Sequence, residues 1–192
     1  MGDSGTDGID VKALLYSVIE RLGRDSLRRG LVRDSRSIIS LILSSCMKEL
    51  SSSDRDGDAT LRLVTALMHY LLTECMIPSE RKIQLDDMML DLVIPSMRVL
   101  RSNPDNTLII LISSDEVDAL NQRLERVYAL YPRVNLWTVV VGNVDVSKVG
   151  NTRVYMMDEY ADNQRSLPFS SIIEDIRGFM YSKGIRPFNI IV

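Results

Sequence analysis

The sequence predicts an α/β protein in which a helical N-terminal half packs with a mostly parallel, three-layer Rossmann-like sheet. Residues 108–112 form an unbroken apolar run, which is typical of a strand buried on both faces. Residues 134–141 form a second apolar run, and the segment between the two repeats apolar residues at helical spacing. Two strands joined by a helix of this length require a right-handed crossover, so we expect them to lie parallel in one sheet.

The rest of the C-terminal half continues this alternation. Residues 153–157 predict a third strand, and apolar residues between 169 and 180 predict a last amphipathic helix. Residues 188–192 are a candidate for a final edge strand. The order β-α-β-β-α-β would also fit a ferredoxin-like sheet, but strands that are apolar on both faces favour helices on both sides.

The N-terminal half begins with helical patterns. Asp10 is a favourable N-cap for a first helix, which Gly23 ends. Residues 24–36 are Arg-rich and irregular. Residues 37–50 are apolar on nearly every side and predict a buried element, either helix or strand.

Two more helices are predicted beyond a solvated loop at residues 51–58. One runs from Leu61 to a boundary at Pro78, because the residue before a proline avoids the helical region. The other comprises residues 85–93 and continues to Pro95, which kinks or ends it.

Length and composition predict one domain. With 192 residues and 45% hydrophobic residues, the chain can bury one full core. We expect a flexible leader at residues 1–8 and one compact domain at residues 9–192, mainly helical over 9–106 and α/β over 107–192. Cys46 and Cys75 are the only cysteines, so free buried thiols are expected rather than a disulfide framework.

Net charge and the lack of targeting signals restrict the classes of partner that we expect for the chain. The net charge of −3 argues against a generally basic nucleic-acid binder, although a local basic patch is compatible with it. No signal peptide and no membrane-spanning run is evident, so we expect no membrane partner and a cytoplasmic or nuclear location. His69 is the only histidine, and packing explains it better than a metal centre or a catalytic triad.

Acidic and small residues follow the predicted strands. Asp115, Asp145 and Asp158 each lie just after an apolar strand, at the edge where open parallel sheets bind ligands. Carboxylates there are the hard oxygen ligands that Mg²⁺ prefers. Helix capping and solvated loops explain the same residues without a metal, and this is the favoured interpretation. We therefore expect no cofactor unless these acids hold Mg²⁺.

Three segments carry a resemblance to a known family. Residues 82–91, residues 107–115 and residues 138–143, with a helix between the last two, resemble the later half of a von Willebrand A-type domain. The resemblance spans residues 82–183 and implies a Rossmann-like fold. The family's Asp-x-Ser-x-Ser metal motif has no match, because Asp34-Ser35-Arg36-Ser37 has the wrong spacing. The resemblance therefore implies a protein-binding module that has lost its metal.

The same residues also resemble NYN or PIN-type ribonucleases. In those enzymes, acids on a helix and an acid after the next strand hold Mg²⁺ that activates water. Asp87 and Asp91 would share one helical face, and Asp115 follows the strand. The resemblance implies that these three residues hold the metal. The first strand of that family, with its essential Asp, has no counterpart here.

An arginine cluster covers residues 21–36. Its members Arg24, Arg28, Arg29 and Arg33 are candidates for binding nucleic acid or phosphate. The cluster has no interleaved aromatic residues to stack on bases, and pairing with acids of the same chain is the favoured alternative.

Three hypotheses of function follow. The first is a non-enzymatic protein-interaction module that acts within a complex and has a protein partner; it rests on the absence of a catalytic set. The second is a Mg²⁺-dependent ribonuclease of the NYN or PIN type. The third is an RNA-binding or viral accessory protein that uses the cluster at residues 21–36. A non-enzymatic role is favoured over an enzyme.

Overall fold

A computed structural model describes residues 10–50, 57–114, 117–142, 144–161 and 165–185. They form a six-stranded sheet whose strand order follows the chain. The strands are β1 (Glu80–Leu85), β2 (Met88–Ile94), β3 (Leu108–Ser113), β4 (Asn135–Val140), β5 (Arg153–Met156) and β6 (Ser166–Pro168). β1, β2 and β3 pair antiparallel, whereas β3, β4, β5 and β6 pair parallel.

Seven α-helices are found in the described part of the chain. They are α1 (Val11–Leu22), α2 (Arg24–Arg33), α3 (Ser35–Glu49), α4 (Gly57–Glu74), α5 (Met97–Ser102), α6 (Val117–Leu130) and α7 (Ile172–Ser182). None of them is long and apolar enough to cross a membrane. The α/β class and the mostly parallel sheet predicted from the sequence are confirmed.

Strand β3 is the centre of the sheet, and its side chains alternate between two hydrophobic cores. All six of its residues are buried. Leu108, Ile110 and Ile112 join a core with residues of α1, α2, α3, α4 and α7. Ile109 and Leu111 join a second core with residues of α5 and α6. Helices therefore cover both faces of the sheet, which is why this strand has no polar side of its own.

The parallel pair predicted from the two apolar runs is present. β3 and β4 pair in parallel register from Leu108 opposite Asn135 to Ser113 opposite Val140. The crossover helix α6 buries Leu120, Leu124 and Val127, which recur at steps of four and three. The predicted third strand and last helix are also confirmed, as β5 and α7.

The arginine-rich segment after Gly23 is a helix, although its sequence was interpreted as irregular. Leu27 and Leu31 lie four residues apart, on one face of α2, and both are buried. Gly23 precedes the helix with φ +85°, a backbone conformation that favours glycine and allows a sharp turn between α1 and α2. Asp34 then caps α3 by accepting a hydrogen bond from the backbone N–H of Ser37 at 3.0 Å.

The prediction of a helix at residues 85–93 is wrong. This segment holds the end of β1, a turn and nearly all of β2, and the burial of Met88, Met89 and Leu90 alternates as in a strand. The turn between the strands places Asp86 at φ +51°. The apolar residues of this segment also fit a helical period. The segment nevertheless forms a strand, because β2 pairs with a neighbouring strand on each side.

Three expectations lie partly or wholly outside the described residues. They concern the leader at residues 1–8, most of the loop at residues 51–58 and the candidate edge strand at residues 188–192. Strand β6, only three residues long, was not predicted.

Candidate nucleic-acid interface

The pairing between β2 and β3 ends at Leu92, and the side chain of Asp91 continues the contact between the two strands. Pairing between the two strands extends from Ile94 to Leu92. Beyond Leu92, the backbone N–H of Ile112 donates instead to Oδ2 of Asp91, at 2.8 Å. The carboxylate therefore takes the role of a backbone acceptor and is held at the place where the two strands part.

Lys82 lies opposite Asp91 in the hairpin. Arg81 pairs with Leu92 and Ile83 with Leu90, so the register places Lys82 level with Asp91, at a position where the pairs of the ladder are interrupted. Its backbone has φ +48°, in the left-handed region that a residue with a side chain seldom adopts. A strained backbone conformation of this kind is often found at functional sites.

An open cleft of about 480 Å³ contains Asp91 and lies between α1, α4 and the β1–β2 hairpin. It is lined by Lys12, Leu15, Tyr16, Leu61, Arg62, Thr65, Ala66, His69, Arg81, Lys82, Asp91 and Ile112. These lining residues include four lysine and arginine side chains and a single acid. A cleft with one sign of charge concentrates ions of the opposite sign, so this cleft is suited to a polyanion.

Side chains of α4 position the arginines of the cleft. Nη2 of Arg81 donates to Oγ1 of Thr73 at 2.9 Å, which fixes its guanidinium beside α4. Arg62 pairs with Asp58 at 3.3 Å, one helical turn away, and both side chains are exposed. Because an exposed pair of this kind is weak, Arg62 remains able to contact a ligand.

His69 lines the cleft as a neutral side chain. Burial, followed by the positive charges of Arg81 and Lys82, lowers its pKa to about 4; Lys12 acts in the same direction and Asp91 opposes them. Its Nε2 atom is buried without a hydrogen-bond partner among the described residues.

Arg123 reaches Asp91 from α6, which packs on the other face of the sheet. Its Nη2 atom lies 2.8 Å from Oδ2 of Asp91, and both side chains are about a quarter exposed. The guanidinium also donates to the backbone carbonyls of Met89 at 3.2 Å and Ile112 at 3.5 Å. Asp91 is thus a member of the cleft and of an ion pair that ties α6 to the sheet.

The predicted metal ligands have different positions. Asp87 lies in the exposed turn between β1 and β2 and is paired with Arg126 of α6. Asp91 lines the cleft, and Asp115 lies outside the described residues. Asp87 and Asp91 do not share a helical face, since they belong to a hairpin.

The described side chains of the cleft do not by themselves form a divalent-metal site. Asp91 is the only carboxylate among the described lining residues, and its Oδ2 already accepts from Arg123 and from the backbone of Ile112. In the part of the chain that the structure describes, no group of three His, Cys, Asp or Glu side chains could hold a metal ion. A Mg²⁺ ion here would have to take its other ligands from water or from a bound phosphate, and it would compete with Arg123 for Asp91.

The predicted arginine cluster lies elsewhere and is partly paired. Arg24 and Arg28 both contact Glu74, at 3.5 and 2.8 Å, and Arg21 pairs with Glu49. Arg29 lies 3.5 Å from the hydroxyl of Ser26. Arg21, Arg24 and Arg28 therefore pair with acids of the same chain. Nucleic-acid binding by Arg24, Arg28, Arg29 and Arg33 stays a prediction.

Two larger cavities have less positive charge. One of about 570 Å³, between the end of α4 and α7, is lined mainly by apolar side chains with Arg177 as its single cation. Another of about 620 Å³, beside α3, combines Arg36 with the acids Asp158 and Glu159. The cleft at Asp91 is therefore the best candidate for binding an anionic ligand.

The fold is similar to solved restriction endonucleases. No family model and no curated protein matches the sequence. The restriction endonuclease PspGI in its complex with substrate DNA superposes with a TM-score of 0.69, at 15% identity, over 90% of this chain and 93% of that chain. Metal-depleted Ecl18kI in complex with uncleaved, modified DNA gives a TM-score of 0.62, at 16% identity, over 94% of this chain and 82% of that chain. These likenesses show that this chain has the fold of those enzymes.

The similarity corrects two interpretations of the sequence. The resemblance to a von Willebrand A-type domain is wrong, because the structural neighbours over nearly the whole chain are restriction endonucleases. The first hypothesis, a non-enzymatic protein-interaction module, is contradicted by the same finding, which also gives no support to a protein partner. The alternative of a nuclease was nearer, although these neighbours are not NYN or PIN-type ribonucleases.

Most residues of the cleft were missed in the sequence. Lys12, Arg62, Arg81 and Lys82 were assigned no role, and His69 was interpreted as a packing residue. They come from three separate elements and form no local motif. Asp91 was singled out, but for a helical pairing with Asp87 that does not exist. The strand pattern of residues 88–90, if it had been preferred, would have placed Asp91 in the sheet.

Proposed function

We propose that this protein acts on DNA, with the cleft at Asp91 holding the phosphate backbone. The observation that carries the proposal is the set of four cationic side chains against one acid in this cleft. Lysine and arginine contacts to phosphates supply most of the affinity of DNA-binding proteins. The fold supports the same class of ligand, because PspGI and Ecl18kI were both solved with DNA.

Affinity for a labelled DNA duplex across a salt series tests the proposal. The wild type is expected to bind at low salt, with affinity that falls steeply as salt rises. Lys82→Gln should weaken binding and lower the slope of log K against log salt by about 1, since one phosphate contact is removed. Lys148→Gln is the matched control: Lys148 pairs with Asp145 outside the cleft, and its loss should leave the slope unchanged.

Two results would contradict DNA binding by the cleft. One is the absence of salt-sensitive binding by the wild type. The other is equal weakening by Lys82→Gln and Lys148→Gln, which would show a general effect of net charge. An RNA duplex of the same sequence serves as competitor, and clearly stronger binding to RNA would exclude DNA as the preferred ligand.

Cleavage of DNA is the second candidate, and it would require a metal ion to displace Arg123 from Asp91. The position of Asp91 in a basic cleft favours it, together with a fold similar to that of restriction endonucleases. Incubation with supercoiled plasmid and Mg²⁺ tests it: nicking by the wild type that Asp91→Asn abolishes would support cleavage. Intact plasmid under conditions where the protein binds DNA would exclude it.

A further inference from the structure

Three oxygen atoms from two strands converge on the guanidinium of Arg123. Oδ2 of Asp91 lies 2.8 Å from Nη2, and the carbonyl oxygen of Met89 lies 3.2 Å from the same nitrogen. The carbonyl oxygen of Ile112 lies 3.5 Å from Nη1. Met89 and Asp91 belong to β2 and Ile112 to β3, so the guanidinium is held at the place where the strands part.

Carboxylate and carbonyl oxygens are the ligands that a hard divalent cation binds. Here the positive charge beside these oxygens is supplied by the protein itself. The planar guanidinium of an arginine contacts several acceptors at once. A divalent ion could reach these oxygens only by displacing it.

We propose that Arg123 takes the place of a divalent cation at Asp91, so that the cleft binds DNA phosphate without a metal ion. The inference rests on the proposed function. Arg123 neutralises the one acid of the cleft, which leaves the charges of Lys12, Arg62, Arg81 and Lys82 to attract phosphate. No bridging metal is then needed to bring phosphate close to Asp91.

Thermal unfolding with and without millimolar Mn²⁺ tests the displacement, and it needs no DNA. The wild type should show no shift in Tm that depends on Asp91. Arg123→Ala frees the three oxygens and should gain a Mn²⁺-dependent rise of about 3 °C, which the double variant Asp91→Asn/Arg123→Ala should lose. Arg123→Lys keeps a cation without the planar fork, so its Mn²⁺ response should be smaller than that of Arg123→Ala.

Arg126→Ala is the matched control. Arg126 lies three residues further along α6 and pairs with Asp87 in the exposed turn, without contact to Asp91. Its loss also removes an ion pair between α6 and the hairpin, so a merely structural effect would appear in this variant too. A Mn²⁺ response that is equal in Arg123→Ala and Arg126→Ala would overturn the inference.

Two further results would overturn it. One is a Mn²⁺-dependent rise in the wild type that Asp91→Asn abolishes, which would place a metal at Asp91 beside Arg123. The other is the absence of a response in Arg123→Ala, which would show that the oxygens do not form a cation site. Either result leaves the binding of DNA by the cleft untouched.

DNA binding in EDTA and in Mg²⁺ completes the test. The wild type is expected to bind in EDTA, with affinity in Mg²⁺ that is no higher, because Mg²⁺ competes with the protein for DNA phosphates. Binding that requires Mg²⁺ would refute the role of Arg123 while supporting the proposed function. Absence of binding in both buffers would refute the proposed function itself.

Discussion

Arg28 on α2 and Glu74 at the end of α4 form an ion pair in which one partner is buried and the other is not. Nε of Arg28 lies 2.8 Å from Oε2 of Glu74; the side chain of Glu74 is 4% exposed and that of Arg28 is 64% exposed. Arg24 adds a contact to the same carboxylate at 3.5 Å. The arginines also offset the unfavourable position of an acid at a helix C-terminus.

This arrangement predicts unequal effects of removing the two sides of the pair. Replacing both Arg24 and Arg28 by Ala leaves a buried carboxylate without its partners, and should lower Tm more than Glu74→Gln does. Glu74→Gln leaves only exposed guanidinium groups, which water solvates. Thermal unfolding of both variants, with Arg29→Ala as control for the loss of an exposed arginine, measures the difference. An equal loss of Tm in the two would show that Glu74 is solvated.

Two helical glycines are expected to respond to alanine in opposite directions. At Gly30 in α2, a Cβ would lie 2.6 Å from Cδ1 and 2.7 Å from Cγ1 of Ile38. Gly30→Ala should therefore destabilise the protein by about 1–2 kcal/mol through overpacking. At Gly178 in α7, a Cβ would meet nothing within 4 Å, so Gly178→Ala should stabilise the protein by about 0.5–1 kcal/mol through helix propensity.

Urea unfolding measures both glycine variants. The double variant Gly30→Ala/Ile38→Val makes room for the new methyl group and should recover part of the loss. If Gly30→Ala proves as stabilising as Gly178→Ala, Ile38 moves aside without cost and the close approach of α2 to α3 is not constraining.

The lowered pKa of His69 predicts that the folded protein loses stability as the pH falls. Its pKa in the folded protein is lowered to about 4, whereas an unfolded chain has a histidine pKa of about 6.5. Below about pH 6.5, the unfolded state therefore binds a proton that the folded state does not, and stability falls until about pH 4. After a discount for partial solvation, the contribution is on the order of 1–2 kcal/mol.

His69→Gln isolates this contribution. The free energy of unfolding of the variant should depend less on pH than that of the wild type between pH 6.5 and 4, while carboxylates affect both proteins equally. Urea unfolding at several pH values gives the difference. Superimposable pH profiles would show that His69 titrates normally in the folded protein.

The two cysteines are expected to differ in reactivity. Burial raises the pKa of the Cys46 thiol to about 11, and its side chain is inaccessible in the core. Burial also raises the pKa of Cys75, but this residue lines a surface cavity. At pH 8, a thiol reagent should modify Cys75 in the folded protein and Cys46 only after unfolding, at a rate lower by at least about 100-fold. Mass spectrometry assigns the site, and early labelling of Cys46 would contradict its burial.

The apolar runs of the C-terminal half predicted more of the fold than the N-terminal half did. Residues 108–112 are apolar on both sides of the strand, and few arrangements other than an interior strand bury such a run. Leu85, Met88 and Leu92 in the hairpin recur at helical spacing, although Leu85 belongs to β1 and the other two to β2. The choice there depends on β3 as a pairing partner, which no local window contains.

The site was less predictable than the fold. Lys12, Arg62 and Lys82 are ordinary surface residues in their own segments. They form a site only because α1, α4 and the hairpin meet beside Asp91. The partner of Asp91, Arg123, is 32 residues away in the chain. Patterns of adjacent residues pointed instead to the cluster at residues 21–36, where charge is dense in the sequence but partly neutralised by Glu49 and Glu74.

The amino-acid sequence by itself determined the α/β class, the buried parallel strand pair and the helix that joins them, because hydrophobic periodicity acts over a few residues. Only the tertiary structure decided the hairpin, the basic cleft and the pairing of Asp91 with Arg123. Strand pairing and charge pairing join residues that are far apart in the chain, and their energies depend on which groups the completed fold places in contact.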